Sequence, residues 1–462
     1  MKTAIPYHLV FIIFLFGARL VSQNETNNWY FGNNAGLNFS NNPPQILTNS
    51  SMSVAEGCAS ISGSNGNLLF YTDGITIWNQ SHQIMSNGTG LSGAFNPSQS
   101  SLIVKQPSSQ NLYYLFTVGG APWLSGLSYS IIDLTLSGGS GSVTVKNTSL
   151  ALNSTEKLTG TKHCNGIDYW IVSHDFNSNV FRSFLLTSSG VSSVVVTSSV
   201  GLTHGSWSEY GCMKISPNSK KLGVSVWSSN AFEIFDFDNS TGVISAPITL
   251  TTNLSSTYGC EFSQDGSKFY GAALLGNKIL QWDLCAPTPS AIISSQFSVA
   301  CTSVASMQLA RNGKIYIARL GQQDLGVINF PNNSGSIMGY MNNGQSIAPR
   351  TSAYGLPNFI TSSLVMPQLN PAFTFSSSGI LGCNAVVFSS PLQLGSFFSS
   401  CSASSHSLSS VTWSFGDPIT GPANTSTLTN PVHFFSSQGV FTVSLLLNFG
   451  CGGTDTLFQT VN

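Results

Sequence analysis

Seventeen acidic residues in a chain of 462 leave few ways to build an acid–base centre. Glycoside hydrolysis needs two carboxylates held about 5–10 Å apart. The candidates placed in or beside ordered-looking segments are Glu56, Asp73, Glu156, Asp168, Asp175, Glu209, Asp236 and Glu261. Glu56, Glu209 and Glu261 stand beside apolar runs that read as inner strands, where they would line a central channel or bond a strand end. His163-Cys164 offers a nucleophile with a base, and His174-Asp175 offers two metal ligands. Neither pair has a third partner at a telling distance, and a core histidine beside Trp170 accounts for the pattern more simply. The chain carries no GxSxG, HExxH, P-loop or strand-borne GxGxxG. Asp73-Gly74 and Asp265-Gly266 are lone acids in hairpin turns, whereas calcium needs several oxygen ligands. No cofactor is expected, and metal is unassigned.

Aromatic rings with amides and hydroxyls around them suit binding of sugar or peptide surfaces better than catalysis. Trp123 falls at the tip of the Gly119–Gly126 loop, and Trp207 lies just before an apolar strand. With Glu56, Glu209 and Glu261 these two form the candidate ligand-binding set, directed at a polysaccharide or a surface protein. Trp78, Trp170, Trp227 and Trp282 sit on or near strands, where rings commonly pack between neighbouring sheets.

The elements that must position these residues repeat. Tyr210–Trp227, Tyr258–Leu274 and Val304–Leu320 superimpose, and aligning Ser216, Ser263 and Ala310 spaces the copies 47 residues apart. Each copy is a strand, a polar turn and a second strand; the turns are Pro217-Asn218-Ser219, Gln264-Asp265-Gly266 and Arg311-Asn312-Gly313. A period of about 40–50 residues is that of four-stranded propeller blades. Weaker copies extend upstream, giving six units that begin near residues 54, 99, 157, 209, 258 and 304. Asn28–Phe39 has a second and third strand but no first, and Tyr354–Ile360 is a lone strand. Joined, with Asn28–Leu47 completing a blade begun by Thr351–Ile360, they predict a seventh blade that closes the ring and removes exposed sheet edges. A six-bladed ring with stray terminal strands is the alternative. Residues 365–372, with two prolines, read as a linker, and residues 373–462 have the size and alternation of an immunoglobulin-like sandwich. The fold expected is all-β throughout.

Only 7% of the residues are Asp, Glu, Lys or Arg, against about 25% in ordinary soluble domains. Ser, Thr, Asn and Gly replace them, and the net charge of −1 gives no footprint for nucleic acid. Lys2 followed by the apolar run Leu9–Phe16 predicts a secretory signal over residues 1–22, cut near Ser22 or Gln23. No later run is long enough for a transmembrane segment in the mature chain. Nine cysteines leave at least one unpaired. Cys58, Cys164, Cys212 and Cys260 read as small buried residues of inner strands; Cys285 can reach Cys301, and Cys383 can reach Cys401 or Cys451.

Two resemblances rest on motifs now described. Trp413-Ser-Phe-Gly-Asp417, Asn430-Pro-Val-His433 and Gly439-Val-Phe-Thr-Val443 resemble the signature of PKD (polycystic kidney disease) domains, in which the Trp fills the core. Pro418 stands where Gly usually follows, which alters the turn more than the fold. NNWYFGNNAGLNF, EGCASIS, GNLLFYTDG, KHCNGIDYWIVSHD and GQSIAPRTSAYGLPNFI are similar to the amino-terminal propeller of surface proteins from gliding bacteria (Bacteroidota). Those proteins often combine it with PKD repeats and type IX secretion, and no sorting domain is visible in this sequence. The resemblance spans nearly the whole chain and implies a secreted or cell-surface adhesion protein, its propeller binding the ligand and its PKD domain acting as spacer. An extracellular carbohydrate-active enzyme and a structural component of a surface layer or motility apparatus are the competing classes.

Overall fold

The computed structural model describes residues 23–119, 126–364, 373–377, 385–390, 408–449 and 454–461. The signal segment 1–22, the linker 365–372 and Trp123 lie outside them. No helix of the described residues is long and apolar enough to cross a membrane.

Seven antiparallel sheets follow one another from Asn28 to Ser346, each with its strands paired in chain order. The first two sheets have three strands and the next five have four. The turns of the repeat form as their residues dictate: Ser219, Gly266 and Gly313 take positive φ values of 57°, 71° and 77°. Polar side chains brace these turns, as where the Ser263 hydroxyl donates to the Asp265 carboxylate at 2.6 Å.

Each sheet buries one face against the next, and the buried clusters run in a cycle. Phe70 packs with Ile103 and Tyr113, Phe116 with Ile171, and Phe181 with Leu222 and Phe235. Phe232 packs with Phe269 and Trp282, and Tyr270 with Met307 and Ile317. One last cluster joins the first sheet to the seventh: Trp29, Phe31 and Phe39 pack on Tyr316, Leu325 and Val327. The Trp29 and Tyr316 rings meet edge-on at 5.7 Å. This all-β succession of small sheets fits a β-propeller.

The structure departs from the sequence reading in three places. Asn28–Phe31 is itself the first strand of its sheet, since it lies beside Ala59–Ser62, the first strand of the next. Thr351–Ile360 adds no strand to that sheet; it makes only single bridges, Thr351 to Asn33 and Pro357 to Cys58. The reason is local. Pro357 has no N–H to give a ladder, and a Cβ on Gly355 would fall 1.7 Å from the Glu56 carbonyl oxygen. The segment crosses the first strands of the other sheets instead. Tyr354 N donates to Ala55 O, Asn358 N to Cys58 O, and the Asn358 side-chain amide to Leu158 O at 2.8 Å. The Asn358 Oδ1 accepts from Lys214 at 3.4 Å, and Thr361 Oγ1 donates to Ile215 O at 2.7 Å. These bonds tie it to the first strands of the second, third, fourth and fifth sheets.

The cysteines supply the third difference. Cys58, Cys212, Cys260 and Cys301 are free and buried, whereas Cys164 and Cys285 are disulfide-bonded. Cys285 therefore does not bridge to Cys301, which closes the core beneath Met307 and Ile315. Cys164 is not the buried free thiol expected. Cys383, Cys401 and Cys451 lie outside the described residues.

Beyond residue 373 two further sheets form, one of three strands and one of four. Trp413 is fully buried between them, against Phe373 at 5.0 Å and Phe388 at 5.4 Å. Burial alone would raise the Asp417 carboxyl; the Ser436 hydroxyl and amide, at 2.6 and 2.7 Å, and His433 outweigh it and hold the group below its usual range.

Candidate functional site

Neighbouring strands of each sheet run antiparallel, so the turn before a first strand and the turn after a second strand lie at the same end. Glu56, Ser98 and Glu209 precede the first strands of the second, third and fifth sheets, while Glu156 and Tyr258 open those of the fourth and sixth. Trp227 follows the second strand of the fifth sheet. All six residues therefore gather at one end of the ring.

Hydrogen bonds join them across four sheets. Ser98 donates to Glu156 Oε2 through its amide at 2.8 Å and its hydroxyl at 2.9 Å. The same hydroxyl accepts from Gly211 N at 2.9 Å. Tyr258 donates to Glu56 Oε2 at 2.8 Å. Burial, with Glu156 second, pushes the Glu56 carboxyl up to about 7, against the opposing pull of Tyr258 and Ser98. At neutral pH it is shared between its acid and its base form. Glu209 is only 6% exposed, and its Oε2 has no hydrogen-bond partner among the described residues. The Tyr210 hydroxyl is raised by burial first, then by the charges of Glu209, Glu156 and Glu56 in turn.

Aromatic rings continue from the acids to the surface. Trp207 to Tyr210 and Tyr210 to Trp227 are each 6.0 Å between ring centres, Trp227 to Tyr258 is 6.1 Å, and Tyr258 to Tyr354 is 6.3 Å. Trp207 is 63% exposed and its φ is 70°, a conformation that costs a bulky side chain free energy. Nothing in the packing asks for an exposed indole there. Beneath this loop lies Lys157, fully buried, whose ammonium donates to the carbonyls of Ser208, Glu209 and Tyr210 at 2.5, 3.1 and 2.7 Å. Burial pulls its pKa down to about 8 against the opposing pull of Glu156.

The candidate residues thus separate. Glu56, Glu209 and Trp207 lie at this end; Trp123 is not described. Glu261 is fully buried deeper in the ring, where it accepts from Phe262 N at 2.8 Å and Leu309 N at 2.9 Å, with Lys214 at 3.9 Å. It ties the sixth sheet to the seventh and is out of a ligand's reach. The sequence reading passed over Ser98, Tyr210 and Tyr258, and it named Glu156 as a candidate acid but left it out of the binding set, having begun that unit near residue 157 where the strand starts at Ser154. Their signal was positional: each lies at the start of a repeat unit.

The other suspected chemistry dissolves. Cys164 is spent in its disulfide, and the His163 ring lies 5.6 Å from Trp170. His174 stacks on His204 at 3.9 Å inside the fourth sheet, and burial, then Lys157, pulls it down to about 3. Among the described residues no three His, Cys, Asp or Glu side chains converge as metal ligands. A cleft of about 440 Å³ opens at the opposite end between Asn218, Asp238 and Cys164, and the Lys221–Asp236 ion pair lies in its wall.

No protein-family model matches the sequence, and no curated protein matches it. Among solved structures the chain is similar to Hsv2 of Kluyveromyces lactis, with 8% identity, a TM-score of 0.41, and coverage of 66% of this chain and 90% of that one. It is also similar to a protein of unknown function from Desulfotomaculum acetoxidans, with 11% identity, a TM-score of 0.39, and coverage of 71% and 87%. A 6-phosphogluconolactonase candidate from Bacteroides uniformis has 14% identity, a TM-score of 0.36, and coverage of 72% and 88%. At such scores nothing of their chemistry transfers to this chain.

Proposed function

We propose that the protein is a secreted or cell-surface binding protein, in which residues 24–364 form a seven-bladed propeller that holds a polysaccharide at the Trp207–Tyr354 end. Residues 373–462 are a PKD-like sandwich that spaces the propeller from the cell. Seven sheets closed by one shared core support the blade count. The signal-like amino terminus, the disulfide-bonded Cys164 and Cys285, and the resemblance to surface proteins of gliding bacteria support export. The observation that carries the binding assignment is Trp207, an exposed indole kept on strained backbone beside a row of rings and carboxylates. Aromatic faces next to hydrogen-bonding groups are what sugar rings need.

The test compares Trp207→Gly and Trp227→Ala with wild type on soluble polysaccharides. Glycine relieves the positive φ, so Trp207→Gly melts no lower than wild type, while both variants bind roughly three- to tenfold more weakly. Undiminished binding by both variants would refute the site. A hydrolytic reading is favoured by one observation, the Glu56 carboxyl raised to about 7 by burial and by Glu156 while it accepts from Tyr258. Release of reducing ends from the bound polysaccharide, lost in Glu56→Gln, would establish it in place of simple binding.

A further inference from the structure

We propose that the ligand at this end carries free amino groups, an amine-bearing saccharide whose ammonium enters among Glu56, Glu156 and Glu209 while its rings lie along the aromatic row. This rests on the binding assignment above and gives it a substrate class.

The argument is one of charge left over. In a chain with 7% charged residues, three carboxylates at one end of the ring are a concentration that the composition does not produce casually. Neither Glu56 nor Glu209 lies within ion-pair distance of a lysine or arginine among the described residues. The nearby cation, Lys157, is committed to three backbone carbonyls and turned away from solvent. Glu209 is more than nine-tenths buried with one oxygen unpartnered, a state that costs free energy until a donor arrives. A neutral sugar hydroxyl satisfies that oxygen weakly; an ammonium satisfies it with a charge-assisted bond. Glu56 points the same way. Its carboxyl is raised by burial and by Glu156, and a cation beside it favours the ionised form. The rings of Trp207, Tyr210 and Trp227 extend the site with faces that attract cations as well as sugar rings. An anionic saccharide would meet three carboxylates and is excluded.

The experiment measures binding of the full-length protein to a glucosamine hexamer, its N-acetylated counterpart and a glucose hexamer. The glucosamine hexamer is expected to bind at least about tenfold more tightly than either other, with an affinity that falls as salt rises. Glu209→Gln should weaken it by about 30-fold or more, a far larger loss than the same change costs the glucose hexamer. Glu56→Gln serves the same purpose if Glu209→Gln does not fold. Equal binding of all three hexamers, with Trp227→Ala weakening each, would overturn the amine assignment and leave the site standing. Binding that no aromatic or acidic variant alters would overturn both.

Discussion

Replacing Lys157 by Met tests whether the ring end is held from beneath. The ammonium makes three hydrogen bonds to the carbonyls of Ser208, Glu209 and Tyr210. Bonds to a charged group contribute about 1.5–3 kcal/mol each, but taking an ammonium out of water costs several kcal/mol. Deleting it also takes their donor from the Ser208 and Tyr210 carbonyls, while Glu209 O keeps the Glu156 amide at 3.3 Å. The net loss expected is about 2–4 kcal/mol, or a urea midpoint lowered by roughly 1 M. The pH dependence carries an independent sign. The native pKa is depressed to about 8 from the usual 10.5, so between those values the unfolded chain binds the proton that the native chain has lost. Wild-type stability gains on Lys157→Met as pH rises from about 8, before the tyrosines titrate. Urea unfolding followed by tryptophan fluorescence at two pH values reads both effects. An unchanged midpoint, or a wild-type advantage that shrinks with rising pH, would refute the reasoning.

Three further outcomes follow from the same contacts. Gly355→Ala drives a Cβ into the Glu56 carbonyl and should cost about 3 kcal/mol or more, read as a lowered melting temperature. Asp417→Asn should destabilise the sandwich at neutral pH and abolish its loss of stability in acid. The native Asp417 carboxyl lies below its usual value, so that stability is present above the unfolded pKa and disappears as pH falls through the native one; thermal melts across the acid range check it. Cys58, Cys212, Cys260 and Cys301 are buried, so a thiol reagent should label none of them in the native protein and all four after unfolding, as peptide mass mapping would show.

Much of the fold was legible because the repeat obeys local rules. The 47-residue interval and the Asn–Gly turns placed the inner strands, since tight hairpins demand positive φ at fixed positions. The role of Thr351–Ile360 was not legible. An apolar stretch with Gly and Pro reads as an edge strand, and only the ring shows that Asn358 bonds the first strands of other sheets. The site was half legible. Glu56 and Glu209 were found because they begin repeat units, and Glu261 was grouped with them for the same reason. Glu209 stands one residue before its repeat tyrosine, Tyr210, and Glu261 three residues after Tyr258, a shift along the strand that periodicity alone does not distinguish. Ser98 and Tyr258 carry no chemistry until four sheets bring them to Glu156 and Glu56.

Hydrogen exchange of the full-length protein with and without a bound oligosaccharide tests the central assignment most directly. Binding at the ring end predicts slowed exchange at residues 205–211, 227–230 and 354–356, with the sandwich unchanged. Protection confined to residues 408–449, or to the cleft around Asn218 and Asp238 at the opposite end, would contradict it.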